Sequence, residues 1–231
     1  IAMALAAITD PDLQHPAIEC LFTVDEETGL TGAMKLQDGY LKGTRLINLD
    51  SEDDGQIFIG CAGGIDTLAK MHYTPQNLPA PEQWFPVRLT VSGLMGGHSG
   101  DDINKGLACA NKLLNRILWA ADKEMDMRLA CFDGGNLRNA IAREAYAEVV
   151  VMEQEAEDLK QLVLKYAQDL KNEFRSTEPN MQIGIEAIAK PAFVVDMLSQ
   201  DNLLNVLYAC PHGVLAMSRE IPGFVETSTN L

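Results

Sequence analysis

The sequence predicts an α/β protein in two parts: a partial parallel-sheet domain over residues 1–63 and a ferredoxin-like α+β layer over residues 64–220, with residues 221–231 trailing it. Three observations carry this expectation. The first 62 residues alternate helix-like and strand-like runs in a βαβ pattern. Residues 64–86 hold four prolines (Pro75, Pro79, Pro81, Pro86) and few periodic apolar positions, which marks a change of character between two units. Beyond them the runs follow in the order β-α-β-β-α-β, that of a ferredoxin-like layer.

In order along the chain, the first part reads as a helix over 1–8, a turn at Asp10-Pro11, a strand over 18–24, a short helix over 31–37 and a strand over 45–49, with a further strand-like run over 56–61. Strands separated by a helix pair in parallel through right-handed crossovers, and their carboxyl ends form the crevice where α/β proteins bind ligands. An extended run over 67–73 lies in the Pro-rich connection. The second part reads as strand 87–91, helix 105–121, strands 127–132 and 145–152, helix 155–175, strand 182–188 and a last helix over 200–210.

Composition narrows the function more by exclusion than by indication. Hydrophobic residues make up 47% and charged residues 22% of the 231, which is ordinary globular usage. A formal net charge of -15 argues against nucleic acid or an anionic membrane surface as a partner, because both call for a basic footprint. The five cysteines (Cys20, Cys61, Cys109, Cys131, Cys210) form no CxxC pair and suggest neither a disulfide framework nor a cysteine zinc site, so a reducing, cytoplasmic setting is expected. No run reaches the roughly 20 apolar residues of a membrane helix. The chain opens without Met inside an apolar helical stretch and closes on VETSTNL, which reads as a piece of a longer protein.

The acidic residues offer the first chemistry. The strand-like run 18–24 leads into Asp25-Glu26-Glu27-Thr28-Gly29, and the run 45–49 leads into Asp50. Carboxylates gathered at one crevice repel unless protons or cations compensate, so the pair of clusters points to a divalent metal, with a neighbouring carboxylate as base. A solvated acidic loop is the ordinary alternative for one such cluster. Asp50-Ser51-Glu52-Asp53-Asp54-Gly55 starts like a calcium loop but has Cys61 where the twelfth position needs a bidentate Glu.

The second part carries three further motifs. Gly96-Gly97-His98-Ser99-Gly100 sets a histidine among glycines, where it can serve as a hydrogen-bond donor to a developing oxyanion or simply as a turn residue. His15, His72 and His212 read as structural. Gly134-Gly135-Asn136-Leu137-Arg138-Asn139-Ala140-Ile141 reads as a polar connection between strands, and Arg219 as either a bidentate holder of a substrate carboxylate or half of a surface ion pair.

The stretches DEETG, LINLDSED, GGHSGDDI, GGNLRNAI and AMSREIPGFVETSTNL, in this order, resemble the M20 metallopeptidases, and the likeness to their Xaa-His dipeptidase branch runs nearly end to end. The resemblance implies a parallel-sheet zinc-peptidase catalytic domain, here partial, with an inserted ferredoxin-like lid that also dimerises the protein; residues 221–231 would end the lid or return toward the catalytic domain. It implies Glu26 as general base, Glu27 as a ligand of one zinc and Asp50 as the carboxylate ligand of the other, with two Zn2+ per subunit and other divalent metals able to substitute. His98 would reach from the lid across a homodimer to the partner's site, and Asn139 and Arg219 would contact a small peptide substrate. The same resemblance expects a His and a bridging Asp upstream and another His downstream, none of which these residues contain, so the 231 residues alone are expected to be inactive and to bind zinc weakly. The resulting expectation is zinc-dependent hydrolysis of dipeptides, of Xaa-His type with broad specificity. Its rivals are another M20 activity (tripeptidase, carboxypeptidase or N-acyl amino acid deacylase) and a non-catalytic peptide-binding or dimerisation homologue.

Overall fold

The structure is a computed structural model and describes residues 1–26, 29–50, 55–61 and 63–231. The chain divides into two units, Ile1–Ala62 and Gly63–Leu231.

In the first unit the Ala-rich opening forms helix α1 (Ala2–Thr9), which stops where Asp10 turns extended ahead of Pro11, and a single turn forms α2 (Thr31–Met34). The expected strands over 18–24, 45–49 and 56–61 form no ladder among the described residues, and all strand pairing in the structure is antiparallel. The parallel sheet expected for this part is therefore not seen. The physical reason lies in burial: no described residue of 1–62 is buried, and Leu46 and Ile47 are each 82% exposed. A parallel strand is stable only when paired and covered on both faces.

The second unit opens with β1 (Pro75–Gln76) and the strand β2 (Trp84–Ser92), then the short β3 (Gly97–His98) and helix α3 (Ala110–Glu124). β4 (Met127–Gly134), β5 (Ala140–Ile141) and β6 (Ala145–Met152) follow, then α4 (Ala156–Glu173), β7 (Gln182–Ala187) and β8 (Val194–Val195). Helix α5 (Met197–Ala209) and the hairpin of β9 (Gly213–Met217) and β10 (Val225–Thr229) complete it. The main sheet runs β4-β6-β2-β7, so β2 and β4, its strands before and after α3 in sequence, are separated by β6 in space. Val87, Leu89 and Val91 alternate onto the buried face of β2. Leu114, Ile117, Leu118 and Ala121 meet them from α3 at three- and four-residue spacing, and Leu159, Val163 and Leu170 from α4. Each fully buried Leu or Ile of this set contributes roughly 1.5–3 kcal/mol over leaving it in water.

Two helix starts differ from the sequence expectation, each for a local reason. Helix α3 begins at Ala110 rather than 105, because residues 101–105 turn back on His98 and Gly106 takes a φ of 70°. Helix α5 begins at Met197 rather than 200, because the Asp196 carboxylate accepts the Ser199 N–H at 3.0 Å as an N-cap. Its far end is closed by Lys112, whose ammonium donates to the carbonyls of Leu207, Tyr208 and Cys210 at 2.6, 2.8 and 2.7 Å.

Candidate active site

The residues singled out by sequence fall in both units. In the first, the chain around Glu26 folds into a tight turn: the Glu26 carbonyl accepts the N–H groups of Gly29 (3.1 Å) and Leu30 (2.9 Å), and the Val24 carbonyl accepts that of Gly32 (3.0 Å). Asp25 and Leu30 take left-handed φ angles of 59° and 58°, a conformation that non-glycine residues adopt sparingly and that concentrates at functional positions. The Glu26 side chain is exposed. Asp50 is exposed too, its N–H bonded to Asn48 Oδ1 at 3.1 Å. Glu27 lies outside the described residues.

A metal centre needs several such side chains together, and among the described residues no group of three or more His, Cys, Asp or Glu is arranged to hold an ion. The described residues thus do not fit a complete metal site.

The second unit builds its candidate site on the pairing of β3 with β5, where Gly97 faces Ile141 and His98 faces Ala140. Ser99 N–H donates to the Asn139 carbonyl at 2.8 Å, so the His98 and Asn139 backbones belong to one ribbon. The loop bearing His98 is tied to the core by Glu178, a residue buried to 3% exposure. Its carboxylate accepts the Met95 N–H at 2.7 Å and the Ala108 N–H at 2.8 Å, clasping both ends of the loop. Asn230 holds the other side: its Nδ2 donates to the carbonyls of Arg138 (3.2 Å) and Ala140 (2.9 Å), bracketing Asn139.

The His98 ring is about half exposed, and its Nδ1 accepts the N–H groups of Gly100 (3.2 Å) and Asp101 (3.3 Å). An imidazole nitrogen that accepts carries no proton, which leaves the proton on Nε2 and makes the ring's other edge a donor. The Asp101 carboxylate lies 3.7 Å from Nδ1 and is itself well exposed. Arg219 occupies the tip of the β9–β10 hairpin, where Ser218 Oγ accepts the N–H groups of Glu220 (3.3 Å) and Ile221 (3.1 Å) and Ser218 N–H reaches the Phe224 carbonyl (2.8 Å). Arg219 is exposed and pairs with no carboxylate among the described residues.

Of the other histidines, two rings contact backbone groups, His15 Nδ1 the Pro16 carbonyl at 2.7 Å and His212 Nδ1 the Leu231 N–H at 3.3 Å, while the His72 backbone carbonyl accepts the Ser199 hydroxyl. Burial, and secondarily the nearby Lys112, hold the His212 pKa below its usual value. Sequence reasoning did not single out Glu178 or Asn230. Glu178 carries no local signal, since a lone Glu between Thr177 and Pro179 reads as surface, while Asn230 sits inside the matching stretch that ends the chain.

Residues 89–178 match the M20 peptidase dimerisation domain. The whole chain is 42% identical over 231 residues to the cytosol non-specific dipeptidase of Escherichia coli (strain K12), covering 47% of that protein. It is 27% identical over 147 residues, 62% of the chain, to the uncharacterized protein YqjE of Bacillus subtilis (strain 168), covering 34% of it. Among solved structures, the crystal structure of the aminoacylhistidine dipeptidase from Vibrio alginolyticus superposes with a TM-score of 0.77 at 42% identity, over 90% of this chain and 42% of that one. The chain thus spans less than half the length of these relatives. With every one of its residues inside the first of these alignments, the chain belongs to the M20 metallopeptidase family, close to the cytosol non-specific and aminoacylhistidine dipeptidases.

Proposed function

We propose that the complete protein hydrolyses dipeptides of broad sequence, Xaa-His among them, in the cytoplasm as a homodimer joined through residues 64–220. The observation that carries this reading is the likeness to a dipeptidase along the whole chain, which includes all the motif residues. Runs 18–24 and 45–49 are then strands of a parallel sheet whose remaining strands come from the rest of the protein. Family membership implies metal dependence, and by the motif match Glu27 and Asp50 are metal-holding carboxylates. Because the described residues do not complete a metal site, the chemistry assigned to this chain is that of its own groups. Glu26 takes the proton of the attacking water and returns it to the leaving amine. His98 donates its Nε2–H to the oxyanion in the partner subunit's site, a role its half-exposed ring and its accepting Nδ1 support. Arg219, free of ion pairs among the described residues, holds the substrate carboxylate, and Asn139 contacts the peptide.

The test uses the complete protein on a panel of dipeptides, tripeptides and acylated amino acids. Cleavage of the dipeptides is expected, and Glu26→Gln is expected to lose about 10²–10⁴-fold in turnover while metal content persists. Preference for tripeptides or acylated amino acids would replace the dipeptidase reading with another activity of the family. Loss of metal in Glu26→Gln would make Glu26 a ligand instead of the base.

A further inference from the structure

The glycines around His98 serve a purpose that the loop geometry makes explicit. A Cβ placed on Gly97 would lie 2.7 Å from both Cβ and Oδ2 of Asp102, and one placed on Gly100 would lie 3.2 Å from Cε1 and Nδ1 of His98. Both positions are therefore kept bare for these two side chains. Asp102 uses that space to close the turn from both sides: its Oδ2 accepts the His98 N–H at 2.6 Å, and its own N–H donates to the His98 carbonyl at 3.0 Å. Its other oxygen pairs with the Lys105 ammonium. Lys105 first, and the His98 N–H second, hold the Asp102 carboxyl below the usual carboxylate range.

We propose that Asp102 is the positioning residue of His98. By fixing the backbone on both sides of the histidine, it keeps the Gly100 and Asp101 N–H groups on Nδ1, and so keeps the ring turned with its Nε2–H outward. Its chemistry is that of an acceptor for one backbone N–H; the Lys105 contact steadies the carboxylate and is secondary. This inference rests on the reading of His98 as the oxyanion donor.

The experiment is a double-mutant cycle in the complete, metal-loaded protein, with steady-state kinetics on a dipeptide and metal content and dimer mass measured alongside. Asp102→Ala is expected to lower kcat by about 10-fold or more while KM changes by less than about threefold, since a displaced group loses transition-state contact before it loses ground-state binding. In a His98→Ala background the same substitution is expected to cost nothing further, because two residues acting through one group are not additive. Asp102→Asn retains an acceptor oxygen and is expected to keep most of the turnover, whereas Gly97→Ala, which displaces the carboxylate, is expected to reproduce the loss seen in Asp102→Ala. Losses that add in the double variant, or Asn behaving like Ala, would overturn the positioning role while leaving His98 as donor. Unchanged turnover in His98→Ala alone would remove the donor reading and the inference with it.

Discussion

The two units of this chain carry similar apolar runs and use them in opposite ways. Residues 18–24 and 45–49 are as apolar as β2, yet Val24 is 72% and Ile47 82% exposed, whereas Val87, Leu89 and Val91 of β2 are 1–2% exposed. The difference does not lie in the runs themselves. Strand β2 has β6 on one edge, β7 on the other, and α3 and α4 across one face, all from within the same unit. The first unit contains two short helices and nothing that covers a strand among its described residues. An apolar run states that a strand wants burial, and only its neighbours decide whether it gets it.

That contrast is open to direct attack by the same kind of substitution in both places. In the 231-residue chain, Leu114→Ala removes a fully buried side chain from the middle of the core and is expected to cost about 2–5 kcal/mol by chemical denaturation. Ile47→Ala is expected to change the stability of this chain by less than about 0.5 kcal/mol. In the complete protein Ile47→Ala is expected to become destabilising, because a strand over 45–49 would there be paired and covered. A neutral Ile47→Ala in the complete protein would rule out the parallel-sheet proposal for this part of the chain.

The same contrast explains what was legible in the sequence. In the second unit the order of the four main-sheet strands and of α3, α4 and α5 was readable, because those strands and the first two helices each carry an apolar face and the sheet partners lie within about 100 residues. The extended run expected over 67–73 forms no strand, the pairing falling instead on Pro75–Gln76. What the sequence did not indicate there were the short strands β1, β3, β5 and β8, the β9–β10 hairpin, and the starts of α3 and α5, these two set by local polar contacts, the Asp102 turn and the Asp196 cap. Of the candidate site, His98 and Asn139 were legible as motif residues, and the structure joins them through the β3–β5 ribbon. Their supports, Glu178 and Asn230, were not singled out, because they lie 80 and 91 residues away from the residues 98 and 139 that they steady; Glu178 carries no pattern of its own, and Asn230 falls in a matching stretch without a role assigned to it. The acidic runs holding Glu26 and Asp50 were legible as such, their roles came from the resemblance, and no described residue of the first unit is buried.

A middle-sized effect probes the polar anchoring of the second unit. Asp196 caps α5 and also accepts the Thr74 N–H at 2.8 Å, tying the middle of the Pro-rich connection to the helix. Asp196→Ala is expected to destabilise the chain by less than Leu114→Ala and by more than Ile47→Ala. The Thr74 N–H, and then Ser199, hold this carboxyl below its usual pKa. A depressed folded-state value means the contribution is present above the unfolded carboxylate value near 4 and is lost as pH falls through the lower folded value. The stability gap between wild type and Asp196→Ala is therefore expected to be full at pH 6 and to shrink below about pH 4. A gap that stays constant down to pH 2 would show that the cap acts without its charge.

The smallest expected effect lies in residues 63–74, which belong to the second unit yet resemble the first in having no buried residue. Besides the stacking of Tyr73 on Phe193, this segment is held among the described residues by polar contacts: Thr74 to Asp196, the His72 carbonyl to Ser199, and Asp66 to Arg138 at 2.6 Å. The last of these joins it to the loop that carries Asn139. Both partners are mostly exposed, the Arg138 side chain at 74% and Asp66 at 68%, so the Coulomb gain is screened by water and offset by the cost of ordering two flexible side chains. Asp66→Asn and Arg138→Gln are each expected to shift stability by less than about 1 kcal/mol, and the double substitution by no more than the larger single one. Raising salt is expected to erase even that difference, since exposed charges are screened over roughly 8 Å at physiological ionic strength. A loss of several kcal/mol from either substitution would mean that this extended segment is buried against something in the folded protein, and that its likeness to the first unit ends there.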